Sequence, residues 1–248
     1  VVHLANIAND PSVELNARLS WEVNVLATQK LIENSVKNKI KQFIFASSGS
    51  VYGVKEEKDV TEELPLVPIS TYNKTKMISE RVLKSYENEI KFHCIRPATV
   101  CGFSPRMRLD VTVNMFAFQA LKFKSMSVFG GNQVRPNIHI QDLINIYNHF
   151  ISNPDLPSGF YNAGFENLKI IEIAQMVSKI IPSKIIVTEN NNDPRSYRQN
   201  SNKLLSTGFK KKFSVSEAIK DLKEKYESKQ FTESEKCYTV KWMRELNL

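Results

Sequence analysis

An α/β fold organised around a doubly wound parallel sheet is predicted by three features of this 248-residue sequence. Apolar strands alternate with amphipathic stretches of roughly 12 to 18 residues, the order expected of right-handed βαβ units. Gln42-Phe43-Ile44-Phe45-Ala46 is apolar with hardly a break and ends in Ser47-Ser48-Gly49-Ser50, as a strand buried on both faces would. Past Phe103 the strands shorten and a polar, basic loop, Ser104-Pro105-Arg106-Met107-Arg108, intervenes. A sheet domain over 1–103 and a smaller lobe, mainly 104–248, follow from that change, with some later segments returning to the sheet.

Val1 to Ala5 is a short apolar run that reads as part of a buried strand, and Asn9-Asp10-Pro11-Ser12 is loop chemistry. From Leu19 to Asn34, Trp21, Val25, Thr28, Leu31 and Ile32 recur at helical spacing. The strand 42–46 is followed by a helix from Thr71 to Tyr86, a strand from Lys91 to Arg96 and a helix from Val111 to Phe123. Beyond these, strands are expected at Val128-Phe129, 137–140, 160–163 and 184–187, with helices at 142–151 and 170–180. In an open parallel sheet, ligands bind beyond the carboxyl ends of the strands. Asn6, Ser47-Ser48 and Pro97-Ala98-Thr99 each follow a strand, so they are expected to line one crevice.

Composition excludes several classes. No apolar run reaches the ~18 residues that span a bilayer, and the N-terminal residues lack the pattern of a secretory signal. A cytoplasmic location is the default expectation. Cys94, Cys101 and Cys237 are odd in number and show no C-x-x-C spacing, so they read as buried thiols and no metal is expected. The formal charge of +8 raises nucleic acid as a partner, but the lysines are dispersed, the densest cluster being Lys210-Lys211-Lys212. A solvated basic surface is the simpler account.

Ser70-Thr71-Tyr72-Asn73-Lys74-Thr75-Lys76 places Tyr72 and Lys76 one helical turn apart on one face. In a chain with 8 Tyr and abundant Lys, that spacing arises by chance about once, so neighbours must decide its meaning. A phenol near pKa 10 is a poor base, and a nearby ammonium favours its ionised form. With Ser48 in the same crevice, three groups around one alcohol would suit removal of its proton as a hydride leaves for a nicotinamide. Taken singly, Ser48 as a turn residue and Tyr72 as a helix-end residue are the blander readings. His139, inside an apolar strand pattern, reads as a structural histidine.

The ordered segments V-V-H-L-A-N, V-N-V-L-A-T, F-A-S-S-G-S-V-Y-G, T-Y-N-K-T-K, I-R-P-A-T-V-C-G and R-P-N-I-H-I-Q-D together resemble the extended short-chain dehydrogenase/reductase family, in its nucleotide-sugar epimerase/dehydratase branch. The resemblance implies a Rossmann-type sheet and a substrate-binding C-terminal lobe. It implies NAD as cofactor, with NADP open, and a nucleotide-diphosphate sugar as substrate. Tyr72 would be the acid/base, Lys76 would lower its pKa and hold the nicotinamide ribose, and Ser48 would be the third catalytic hydroxyl. Leu4, Ala5 and Asn6 would run along the cofactor, with Pro97 and Ala98 beside the nicotinamide. Ser50, Thr99 and Asn114 would contact the substrate, and Arg135 and Arg195 would hold its diphosphate by charge-assisted hydrogen bonds. Relatives often dimerise, which makes the helices at 19–34 and 71–86 candidates for pairing two copies.

Departures from the family pattern narrow this. Family dehydratases carry Asp-Glu where this chain has Gly49-Ser50, and other relatives carry Glu or Cys at the position of Ser50. A 4-epimerase needs neither, so 4-epimerisation leads, with keto-sugar reduction or dehydration behind it. A fold-retaining RNA- or polyanion-binding protein and an inactive remnant are the readings from other classes. Thr99 and Cys101 replace residues common in relatives and leave the sugar open. With only 8 Gly, the chain has no G-x-x-G-x-x-G turn to approach a pyrophosphate. The resemblance starts at the family's fourth strand. The expectation is therefore an incomplete sheet, short of roughly 60 to 70 residues, that by itself binds dinucleotide weakly or not at all.

Overall fold

A computed structural model describes residues 1–188 and 196–247. The chain opens with β1 (Val2–His3), then α1 (Asp10–Val13) and α2 (Ala17–Trp21), which runs through a π-turn (Glu22–Leu26) into α3 (Ala27–Lys37). β2 (Gln42–Ala46), a 3₁₀ turn (Gly49–Tyr52), α4 (Thr71–Ser85), β3 (Lys91–Pro97) and β4 (Thr99–Cys101) follow. The remainder is α5 (Thr112–Phe123), β5 (Ser125–Phe129), β6 (Val134–His139), α6 (Ile140–Ser152), β7 (Gly159–Ala163), β8 (Glu166–Lys169), α7 (Ile170–Ile180) and β9 (Lys184–Thr188). Then come α8 (Asn202–Ser206), α9 (Val215–Glu227) and, after a 3₁₀ turn (Glu235–Cys237), α10 (Thr239–Glu245).

The main sheet has the order β1-β2-β3-β7, and all its pairs are parallel. Period-two alternation along β2 sends successive side chains to opposite faces. Phe43 and Phe45 join Ile32 and Leu83 of α3 and α4, whereas Ile44 joins Phe150 of α6 and Tyr161 of β7. The apolar character of 42–46 thus reports two cores, one on each side of the sheet. A third core unites α5, α7 and α9 through Val113, Ala117, Ile173, Val177 and Ile219. Two further small sheets lie in this half, β4-β6-β8 and β5-β9. β7 returns to the main sheet beside β3, while β4 pairs with β6 in the second sheet.

β1 is an outer strand, with Val1 and Val2 each 41% exposed and His3 covered, as an incomplete sheet implies. One sequence expectation is corrected. Trp21, expected on the core face, is 37% exposed. The π-turn adds a residue to the helical turn and rotates the chain by about 100°, so Val25, Thr28 and Ile32 face inward while Trp21 does not. That turn also carries the fully buried Asn24, whose amide accepts from Ile7 N at 2.8 Å and donates to Ile7 O at 3.0 Å and to Thr75 Oγ1 at 3.1 Å. Asn24 therefore pins the segment after β1 against α4.

Gly53 explains the end of F-A-S-S-G-S-V-Y-G. Its φ of 72° is a left-handed conformation, and a Cβ there would meet Val67 O at 2.0 Å.

Candidate active site

The site is assembled where β2, β3 and α4 converge. Ser48 caps the 3₁₀ turn, its Oγ accepting from Ser50 N at 3.2 Å and lying 2.8 Å from Ser50 Oγ. Ser50 Oγ in turn donates to Asn73 Oδ1 at 2.5 Å. Ser70 caps α4 by accepting from Asn73 N at 3.2 Å and donates to the Asp10 carboxylate, so the first turn of the helix, which carries Tyr72, is held from two sides. Tyr72 lines the cavity beside Ser48, whose hydroxyl favours the ionised phenol.

Electrostatics at the pair differ from the simplest expectation. Burial, with Asp10 adding to it, raises the Tyr72 phenol to about 12 against the opposing pull of the Ser48 hydroxyl and the Arg108 guanidinium. Lys76 is not among the groups that shift it. Lys76 is 3% exposed, donates to Ala46 O at 2.6 Å, and places its ammonium 5.9 Å from the Tyr72 ring centroid and 4.9 Å from that of Phe45. Burial among these groups lowers its own pKa to about 7, against the opposing pull of Cys94 and Glu80.

A cavity of about 840 Å³ opens from this pair. Ser48, Ser50, Tyr72, Pro97, Ala98 and Thr99 line its floor. Thus the ends of β2 and β3 do meet in one crevice. Asn6 lies outside the wall, whose N-terminal contribution is Ala8 to Pro11. Leu4 is 58% exposed and Ala5 is exposed, while Asn6 Oδ1 is buried without a partner.

The lining also carries cationic side chains, Arg106, Arg108, Arg135 and Lys241. Arg108 Nε donates to Asp110 Oδ1 at 2.8 Å. Burial would raise the Asp110 carboxyl, but Arg108 and the Thr239 N–H outweigh it and hold it below the ordinary value. Arg135, on β6, faces the cavity as the motif implied, whereas Arg195 lies outside the described residues. Asn114 borders the cavity, yet its amide is engaged: Oδ1 accepts from Gly102 N at 3.0 Å and Nδ2 donates to Arg108 O at 3.0 Å. It shapes the loop that presents Arg108. His139 is structural, its Nδ1 accepting from Gln141 N at 3.0 Å to cap α6. All three cysteines are buried and free. Among the described residues, no group of three or more His, Cys, Asp or Glu is placed to hold a metal.

Sequence reasoning missed Arg106, Arg108 and Lys241 as cavity residues. The two arginines stand in a loop read only as basic. Lys241 arrives because Leu109 N donates to Cys237 O at 2.9 Å and Asp110 accepts from Thr239 N, joining distant segments.

A parallel α/β sheet that presents a serine at one strand end and a Tyr-x-x-x-Lys helix to a single cleft defines a protein of the short-chain dehydrogenase/reductase type. The model of the NAD dependent epimerase/dehydratase family matches residues 1–164, and the chain belongs to that family. It is 32% identical over 161 residues to the uncharacterized UDP-glucose epimerase YtcB of Bacillus subtilis (strain 168), covering 63% of this chain and 50% of that protein. To a UDP-glucose 4-epimerase of the same organism it is 30% identical over 163 residues, covering 58% and 48% respectively. The chain thus spans about half the length of these curated relatives. Among solved structures, a UDP-glucuronic acid 4-epimerase from Bacillus cereus, in complex with UDP-glucuronic acid and NAD, superposes with a TM-score of 0.80 at 26% identity. That match covers 93% of this chain and 76% of the other.

Proposed function

We propose that this chain forms the acid/base and nucleotide-sugar face of an NAD(P)-dependent nucleotide-sugar epimerase acting at C4. The observation that carries this reading is that the Ser48 and Tyr72 hydroxyl side chains line the same cavity as Arg106, Arg108 and Arg135. A neutral sugar needs hydroxyl partners at its reacting carbon, and a diphosphate needs cations. The relatives named as UDP-glucose epimerases support the same substrate class.

The residues fit a dinucleotide at its nicotinamide end. Tyr72 and Lys76 stand side by side on α4, Pro97 and Ala98 border the same floor, and the buried, unpartnered Asn6 Oδ1 lies in the segment that Asn24 ties to that helix. When bound, NAD supplies a hydride acceptor and a positively charged ring beside this pair. Tyr72 takes the proton of the C4 hydroxyl and returns it. Ser48 holds the same oxygen, and Lys76 stands one helical turn away with its ammonium 5.9 Å from the tyrosine ring centroid. At neutral pH the apo phenol, near 12, is protonated. Its work as a base therefore depends on positive charge gathered around it.

Among the described residues, the two carboxylates of the cavity lining already have partners. Asp10 accepts from Ser70 and Asp110 from Arg108 and Thr239 N. Neither is offered as the extra acid or base that elimination of water requires, which favours epimerisation over dehydration. Arg135 holds the diphosphate in this reading. Isothermal titration of UDP-glucose tests it: the wild-type chain binds, and Arg135→Ala weakens binding about tenfold or more, as loss of a charge-assisted hydrogen bond would. No binding by the folded wild type would remove the basis for a nucleotide-sugar substrate.

A further inference from the structure

Glu80 lies two turns beyond Tyr72 on α4, on the face that also carries Lys76, and is 1% exposed. Its carboxylate is shared between two strand ends. Oε1 accepts from Ser47 Oγ at 2.5 Å and from Arg96 Nε at 3.0 Å, and Oε2 accepts from Arg96 Nη2 at 2.7 Å. Ser47 directly precedes Ser48 beyond β2, and Arg96 directly precedes Pro97 at the end of β3. Arg96 is held in turn, its Nη1 donating to Tyr52 Oη at 2.7 Å. One carboxylate therefore joins the helix that carries Tyr72 to both strand ends that floor the cavity.

Stability alone does not account for this arrangement. Two charges taken out of water lose much of their mutual attraction to desolvation, and apolar side chains of similar volume hold such a position as well or better. What apolar packing lacks is direction, because hydrogen bonds set angle as well as distance. We infer that Glu80 is a positioning residue, acting through Ser47 and Arg96 to hold Ser48 in place beside Tyr72 in the cavity lining. Its consequence for turnover rests on the epimerase reading, whereas the Ser48–Tyr72 geometry it controls is a property of the fold.

Glu80→Ala would leave Arg96 buried without its counter-charge and endanger folding. Ser47→Ala is the better probe, since it deletes one hydrogen bond and no charge, and Ser47→Thr restores the hydroxyl. The spectroscopic readout uses tyrosine labelled with carbon-13 at the ring Cζ, the Tyr72 resonance being identified by its loss in Tyr72→Phe. Ser47→Ala moves that resonance and Ser47→Thr returns it. In UDP-glucose turnover with NAD, Ser47→Ala lowers kcat about tenfold with KM within twofold, the size of one misplaced hydrogen bond. An unmoved Tyr72 resonance in folded Ser47→Ala overturns the positioning role, whether or not the protein turns over a nucleotide-sugar. A kcat unchanged in Ser47→Ala, or a loss that Ser47→Thr fails to restore, also counts against it. A moved resonance in a protein with no turnover upholds the positioning of Ser48 and rejects the epimerase reading instead.

Discussion

Lys76 holds its proton weakly because Phe45, the Tyr72 ring and one backbone carbonyl replace the water around its ammonium. In the fold its pKa is lowered to about 7, against 10.5 for an ordinary lysine. Between those values the unfolded chain binds the extra proton, so this residue's contribution to stability rises as pH climbs from 7 towards 10.5. Removing it by Lys76→Met should therefore stabilise the fold most at or below pH 7, on the order of a few kcal/mol, with the gain shrinking towards pH 10. Urea melts of both proteins at pH 6 and pH 9 measure the difference, and a gain that grew with pH would contradict the assigned environment. At this scale Ser48 and Tyr72 were legible as a motif, but the state of the pair was not. Spacing along a helix says that two side chains are neighbours, and it does not say that one is drawn back to Ala46 O. Asn114 shows the same limit: its motif position implied a ligand contact, and spacing did not show that its amide also bonds Gly102 and Arg108.

α4 is the element on which the site depends, and its first turn is held by Ser70. Ser70→Ala removes the acceptor for Asn73 N and the donor to Asp10, and should cost about 1 kcal/mol in denaturant melts while lowering turnover through the misplaced Tyr72. β1 makes a different prediction. It is an outer strand with Val2 41% exposed, and an exposed apolar edge invites pairing with another chain. Val2→Lys should reduce self-association in light scattering without lowering the melting temperature by more than a few degrees. β2 and α7 were readable at their observed limits, because an uninterrupted apolar run and a strong helical period depend only on local residues. α1, α8, α10, β4 and β8 were not, being between three and seven residues long and too short for any period to emerge. Their places depend on partners far along the chain, such as Asn137 for Thr99 in β4.

At the scale of the whole molecule, one sheet and one cleft bring together segments more than two hundred residues apart, from Asp10 to Lys241. The alternation of strands and helices made the sheet legible, and the family match over 1–164 stands on the same segments. The closing of the cleft by the loop at 106–110 and by α10 was not legible, since it rests on a few long-range hydrogen bonds between irregular segments. A ligand held across such a cleft stabilises the fold by mass action, so UDP-glucose at 100 times its Kd should add about 2.7 kcal/mol and raise the melting temperature. The central claim is that Tyr72 moves the proton at a sugar carbon while the rest of the cleft binds the nucleotide. Its most direct test compares wild type with Tyr72→Phe for interconversion of UDP-glucose and its C4 epimer in the presence of NAD, with calorimetric binding of UDP-glucose measured on the same samples. The account predicts that the variant loses about 10²- to 10⁴-fold in turnover and keeps its UDP-glucose affinity within about twofold. Turnover close to that of wild type in a variant that still binds would contradict it.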